Sequence, residues 1–293
     1  MSPRLAEAGL LYCAAVWGAT FYMIKDALAG VHPVALVAHR FLLSAALLLP
    51  WVALRRKPWI LLKEGAVLAA LLAALYVSQT AGLAYTSASS SGFITGLFIF
   101  FVPLFLLIFF RRPPTRAQWF SVAVALAGLW LLTGGAREFN RGDALTILSA
   151  VAYAAHLLAT DRFVKEDADP ILIAFHQFWM TGLACLLFSS AMGYPLGVST
   201  RSAAWVIGFL AVVPTLSGFY IQMLAQKKTD PVKVSLIFSL EPVFGAIFAW
   251  TLGGEIFVME KAAGGALIFA AMVAAELSKV SLAKAARKEV LPI

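Results

Sequence analysis

Charge is scarce in this chain of 293 residues: Asp, Glu, Lys and Arg make up only 13% of it, about half the share a soluble domain carries. That scarcity excludes an intrinsically disordered chain and a nucleic-acid-binding domain, both of which are built on charge. Cysteine is nearly absent too. Cys13 and Cys185 both fall in apolar runs, so neither a disulfide framework nor a thiolate metal site is expected. Neither His-Glu-x-x-His nor Gly-x-Ser-x-Gly occurs and no paired aspartates sit inside an apolar run, which leaves an intramembrane enzyme without its usual chemistry. A channel has no repeated charged ring or carbonyl-filter motif here to build on. No cofactor is implied.

What the chain has in abundance is apolar surface, with 61% hydrophobic residues. A bilayer core takes about 20 apolar residues per helix. Five runs of that kind cover Ala8–Leu28, Pro33–Leu54, Glu64–Tyr85, Ser90–Phe110 and Ala117–Gly134. Five more cover Gly142–Val164, Pro170–Met192, Ala203–Leu224, Pro231–Leu252 and Lys261–Val280. The expected fold is therefore an all-α integral membrane protein of ten spans joined by short loops. The first run is longer than a signal-peptide core and carries Trp17-Gly18 at its centre, so it reads as an uncleaved span rather than a leader.

Basic residues orient the spans. With both termini in the cytoplasm, only Lys25, Arg137, Arg141, Arg201 and Lys261 fall on the outer face, and Arg40 lies within a span. The rest of the 23 Lys and Arg crowd the inner loops, as the positive-inside rule requires. The net charge of +8 is then a topology signal rather than the mark of an acidic partner. Trp51, Trp59, Trp119, Trp130, Trp205 and Trp250 sit near run ends, where an amphipathic ring favours the interface. Trp17 and Trp179 do not.

The two halves, 1–137 and 138–293, repeat one another. His32-Pro33 is followed by His39-Arg40-Phe41, and Asp169-Pro170 at the same spacing by His176-Gln177-Phe178. Tyr76-x-x-Gln79 with Thr86 matches Phe219-x-x-Gln222 with Thr229. Pro103 and Pro242 are each followed by an aliphatic-Phe pair. Five spans is an odd number, so the second copy must enter from the opposite face. Inverted repeats of this kind mark secondary transporters, with the substrate site near the midplane between them.

A further set of residues carries a family likeness: Ala15-Val16-Trp17-Gly18, Arg40-Phe41, Ala84-Tyr85-Thr86-Ser87-Ala88, the stretch Ser235 to Phe244 with Leu240-Glu241-Pro242 at its heart, Leu252-Gly253-Gly254-Glu255, and Gly264-Gly265. In these the chain resembles the drug/metabolite transporter superfamily, EamA type, and within it is similar to YddG-type exporters of amino acids. The resemblance implies a multi-pass protein of the inner membrane that moves a small metabolite. The first half departs from the pattern at Arg111-Arg112-Pro113-Pro114, where the family's Gly-Glu would stand, so that glutamate carries over only to Glu255.

Ionisable groups inside a bilayer are costly and face a cavity or a partner. At 1.5 Å per residue, Glu241 lies roughly 15 Å into its run and His156 roughly 20 Å into its own. Arg40 and Glu241 fit two roles: an ion pair or helix-packing lock that never meets substrate, or a ligand for a carboxylate (Arg40) and a ligand for an amine or a proton carrier (Glu241). His156 has the same choice between packing and cavity. Gln79 and Gln222 suit ligand contact, since an amide donates and accepts without burying net charge; the alternative is an interhelical hydrogen bond. Trp17, Tyr76 and Trp179, with Tyr153 and Tyr220, offer an aromatic wall for apolar or ammonium groups, or plain packing. Pro103 and Pro242 are expected kink points and hinges. The runs Ser87–Gly92 and Gly264-Gly265 permit close helix approach.

The function expected from all this is export of amino acids or related metabolites by alternating access, with lipid as the surrounding partner and the number of copies left open. A nucleotide-sugar or organic-anion transporter is the alternative. It calls for several midplane cations, and Arg40 is the one available.

Overall fold

The computed structural model describes residues 2–111, 116–132, 139–166, 168–229, 234, 237–238, 240–271 and 273–274. Among these there is helix and no strand. The helices are α1 (Pro3–Ala27), α2 (Pro33–Ala53), α3 (Leu62–Leu83), α4 (Ala88–Thr95), α5 (Phe98–Phe110), α6 (Arg116–Leu132), α7 (Arg141–Lys165), α8 (Pro170–Ala191) and α9 (Arg201–Leu210). A π-helical segment, Ala211–Ser217, leads straight into α10 (Gly218–Gln226), and α11 (Glu241–Thr251) and α12 (259–271) follow. Counting α4–α5 and α9–α10 as single crossings, seven helices among the described residues are long and apolar enough to span a bilayer. The chain is a multi-pass membrane protein. The start of the expected ninth run (231–233), the far end of the tenth (275–280) and the Arg112–Pro114 corner lie outside the described residues.

Local chemistry explains where the helices begin. His32-Pro33 and Asp169-Pro170 fold alike: His32 and Asp169 cap α2 and α8 by accepting from the second helical N–H, and each proline takes the first turn, where its missing N–H costs nothing. Asn140 and Asp143 form a reciprocal capping box at the start of α7.

The helices pack as an interlocked bundle. α2 lies on α8, α3 on α7 and α8, α1 on α10 and α11, and α7 on α4 and α5. Close approach depends on small residues. At Gly18 a Cβ would lie 2.7 Å from the Glu241 carbonyl oxygen and 2.8 Å from Gly245 N, so only glycine lets α1 reach α11. The outer surface is studded with large apolar side chains, Leu54, Phe109 and Phe120 among them, as a lipid-facing wall requires. Trp51, Trp59, Trp119, Trp130 and Trp205 are exposed, whereas Trp17 is 5% exposed. That contrast separates wall tryptophans from an interior one.

Candidate functional site

Five helices converge on one small cavity. Trp17 and Thr20 of α1, Leu72, Leu75, Tyr76 and Gln79 of α3, Tyr153 and His156 of α7, Phe219 of α10 and Glu241 at the head of α11 line it. On α1, α3 and α7, which supply more than one residue each, these recur at three- or four-residue spacing, which sets them on one face. The free volume is about 20 Å³, room for a single water rather than a metabolite. The cavity is thus too small for a metabolite as it stands, and any larger occupant requires its walls to separate.

Its polar groups are partly held. Tyr153 donates to a Glu241 carboxylate oxygen at 3.1 Å. Gln79 donates to Thr95 Oγ1 at 3.2 Å. His156 Nε2 lies 2.9 Å from Gln177 Oε1, and because an amide oxygen only accepts, that nitrogen carries the proton. Trp17 donates its indole N–H to the Pro214 carbonyl at 2.8 Å, while its ring packs against Phe219 and Phe238 at centroid distances of 5.5 and 5.1 Å. The result is an aromatic box with one carboxylate in its wall and neither Lys nor Arg among the lining residues.

Arg40 stands behind that wall, 1% exposed. Its guanidinium lies over the Tyr76 ring at 4.5 Å, and its Nε donates to Thr215 Oγ1. Both terminal nitrogens lack a hydrogen-bond partner. Arg40 and Glu241 are not paired with each other, so the ion-pair lock is not what holds these helices together. The arrangement traces to Pro214. Its ring nitrogen cannot donate to the Leu210 carbonyl, which accepts instead from the Thr215 hydroxyl at 2.7 Å. The Ala211 and Pro214 carbonyls of the same segment accept from the Ser44 hydroxyl (2.9 Å) and the Trp17 indole (2.8 Å). One π turn therefore anchors residues of both α1 and α2.

A second polar cluster closes the end of the bundle that carries Lys25. The Glu255 carboxylate accepts from the Ala88 and Ser89 N–H groups and, at 2.6 Å, from the Ser89 hydroxyl. It neutralises the positive end of α4 across the two halves of the chain. Lys25 donates to the Leu83 and Thr86 carbonyls, and Thr86 donates to Asp143 at 2.6 Å. Loop, helix end and carboxylate are bound into one corner.

The expected hinges sit differently from each other. Pro103 lies inside α5, and the crossing breaks one to two turns earlier, at Gly96-Leu97. Pro242 occupies the first turn of α11. Two candidate ligands do not reach the cavity wall. Trp179 donates to His176 Nδ1 at 3.1 Å, one helical turn back, and His176 itself is tied to the Pro58 carbonyl. Gln222 is 1% exposed with neither amide atom partnered. Tyr220 faces an apolar groove with Leu47 and Trp51. Thr20, Thr95, Pro214 and Thr215 escaped sequence reasoning, since single hydroxyls and an extra proline carry no periodic signal; Phe219 was visible only as the partner of Tyr76 in the repeat.

Comparison with known proteins gives a consistent picture. The sequence profile of the EamA-like transporter family matches residues 4–134 and again residues 140–275. An uncharacterized transporter of Archaeoglobus fulgidus is 27% identical over 275 residues, covering 93% of this chain and 86% of the relative. The uncharacterized inner membrane transporter YedA of Escherichia coli is 22% identical, covering 88% and 86%. A probable amino-acid metabolite efflux pump of Salmonella typhimurium is 26% identical, covering 88% and 90%. One crystal structure superimposes with a TM-score of 0.69 at 20% identity over 94% of this chain and 98% of that one, a likeness of fold.

Proposed function

Because the chain belongs to the EamA-like transporter family, we propose that it is an inner-membrane secondary transporter that exports amino acids or similar small amphipathic metabolites by alternating access. The observation that carries this reading is the cavity itself. Once its walls part, it offers an ammonium group the Glu241 carboxylate together with the rings of Trp17, Tyr76 and Phe219, and it offers an apolar side chain the same rings. The organic-anion alternative needs cations where the lining has none.

Ten spans arranged as inverted repeats, 1–137 and 138–293, with both termini in the cytoplasm, complete the proposal. The double match of the family profile supports the duplication. So does the packing. Exchanging α1 with α7, α2 with α8, α3 with α9–α10, and α4–α5 with α11 turns the α3–α7 contact into that of α10 with α1. It likewise turns the α1–α11 contact into that of α7 with α4 and α5. Two copies related by an in-plane axis offer two near-equivalent states, one open to each side. Pro103 and Pro242 serve as the points at which the crossings bend.

The test is flux in proteoliposomes with a panel of labelled amino acids, with and without a proton gradient. Trp17→Ala and Gln79→Ala should each lower the flux of at least one substrate by about tenfold or more, the scale of one lost contact of about 1.4 kcal/mol. If no amino acid moves and neither substitution alters any flux, the amino-acid reading is wrong. Equilibration that ignores the gradient would rule out a proton-carrying role for Glu241.

A further inference from the structure

Some buried polar groups have no partner in the protein, and several of them gather in one place. Gln222 and Gln226 are 1% and 0% exposed, yet the donor and acceptor of both amides are unpaired. Thr160 Oγ1 and Gln177 Nε2 are buried and unpaired as well. Phe219, three residues before Gln222, contacts His156 with a ring-centroid distance of 5.8 Å, and His156 is bonded to Gln177. Residues 219, 222 and 226 share one face of α10, and 156 and 160 share one face of α7. The two helices pack on each other, and as first and third strokes of an up-down-up run they head the same way. The unpaired groups therefore continue from the cavity wall toward the end bearing Arg162, Lys165, Lys227 and Lys228. From Phe219 to Gln226 the climb is about 10 Å.

Dry burial of such groups is untenable. Each unpaired amide atom carries the full cost of its lost hydration when nothing meets it, and lipid offers no relief. At the opposite end of the bundle Gln79 holds Thr95, Thr86 holds Asp143, and Glu255 holds the head of α4; the unpaired groups there are single hydroxyls, Thr80, Ser149 and Ser189, whereas the Gln222–Gln226 side leaves two whole amides unmet. The spacing that pairs Gln79 with Gln222 and Thr86 with Thr229 sets Gln226 opposite Leu83. Gln226 is thus an amide that one half has and the other lacks.

We propose that Gln222, Gln226 and Thr160 line a hydrated solute path joining the central cavity to the Lys227–Lys228 end. The amides act as a neutral relay that donates to and accepts from water and a zwitterionic solute in passing. The proposal deepens the transport reading and rests on it for the identity of the solute. Hydration of the path is measurable without any flux.

The experiment is thiol labelling in the full-length protein. In a background carrying Cys13→Ala and Cys185→Ala, single thiols are introduced as Gln222→Cys, Gln226→Cys and Met223→Cys, the last a 0% exposed position in the apolar core. A charged, membrane-impermeant methanethiosulfonate reagent is added to one face of oriented vesicles at a time. Cysteines at 222 and 226 should react at least tenfold faster than that at 223, and from the Lys227–Lys228 face. Rates equal to that of Met223→Cys, or reaction from the other face alone, would overturn the proposal. Gln226→Leu provides a second readout. In a dry site it removes unpaired groups and raises Tm, which refutes the path; in a wet one Tm stays level or falls. If labelling succeeds while no amino acid is transported, the path stands and the substrate assignment fails.

Discussion

Glu255→Gln should unlatch the corner at the Lys25 end without unfolding the protein. In the native arrangement one carboxylate accepts from Ala88 N, Ser89 N and Ser89 Oγ. A hydrogen bond to a charged group contributes about 1.5–3 kcal/mol net, and the charge at the helix start about 0.3–1 kcal/mol more. The amide keeps one acceptor, loses the charge and points an N–H₂ at groups that are themselves donors. Because the corner borders a wide cavity with Tyr22 and Trp205, solvent screens part of this, leaving a loss of about 2 kcal/mol. A two-state closure weakened by that amount shifts roughly 30-fold toward the open form. Ser91→Cys, buried on α4 below the corner, reports it: labelling by an impermeant reagent from the Lys25 face should rise by up to about 30-fold in the Glu255→Gln background. A rise of less than about threefold, together with a lowered Tm, would mean that the carboxylate merely supports the fold and is not a latch.

Thr215→Val should be damaging, because it strips a partner from both Arg40 Nε and the Leu210 carbonyl; thermal unfolding in detergent should show a loss of about 2–4 kcal/mol. Gly18→Ala drives a methyl to 2.7 Å from a backbone oxygen and should cost about 1–3 kcal/mol, read as reduced yield and Tm of the purified protein. Arg55→Ala breaks only the half-exposed pair with Asp169 at 3.4 Å and should change stability by less than about 1 kcal/mol in the same measurement.

Much of this architecture was legible in the linear chain because bilayer thickness and the cost of buried charge leave few options. The His32-Pro33 and Asp169-Pro170 dipeptides announced two helix starts, and both fold as capped, proline-led first turns. The central cavity was readable in outline, since Trp17, Tyr76, Gln79, His156 and Glu241 all line it. Trp179 was not, because its indole meets the histidine one turn back, a contact that no spacing argument ranks above any other. The Arg40–Glu241 choice resolved against a pair for a reason that lies elsewhere in the chain. Thr215 reaches Arg40 only because the backbone around Pro214 opens into a π turn, and hydropathy is blind to a helix that changes its winding.

That change of winding also sets a phase. A π turn accommodates one residue more than the α-helix around it, and each residue of an α-helix turns the face by about 100°. Everything after Ser217 is therefore rotated relative to an uninterrupted helix begun at Arg201. Without the extra residue, Phe219, Gln222 and Gln226 would swing away from α7 and α8 toward the surface now held by Tyr220. The segment acts as a one-residue frameshift written in structure: what α10 presents to the interior is decided some two turns upstream, in the pitch of the chain at Pro214.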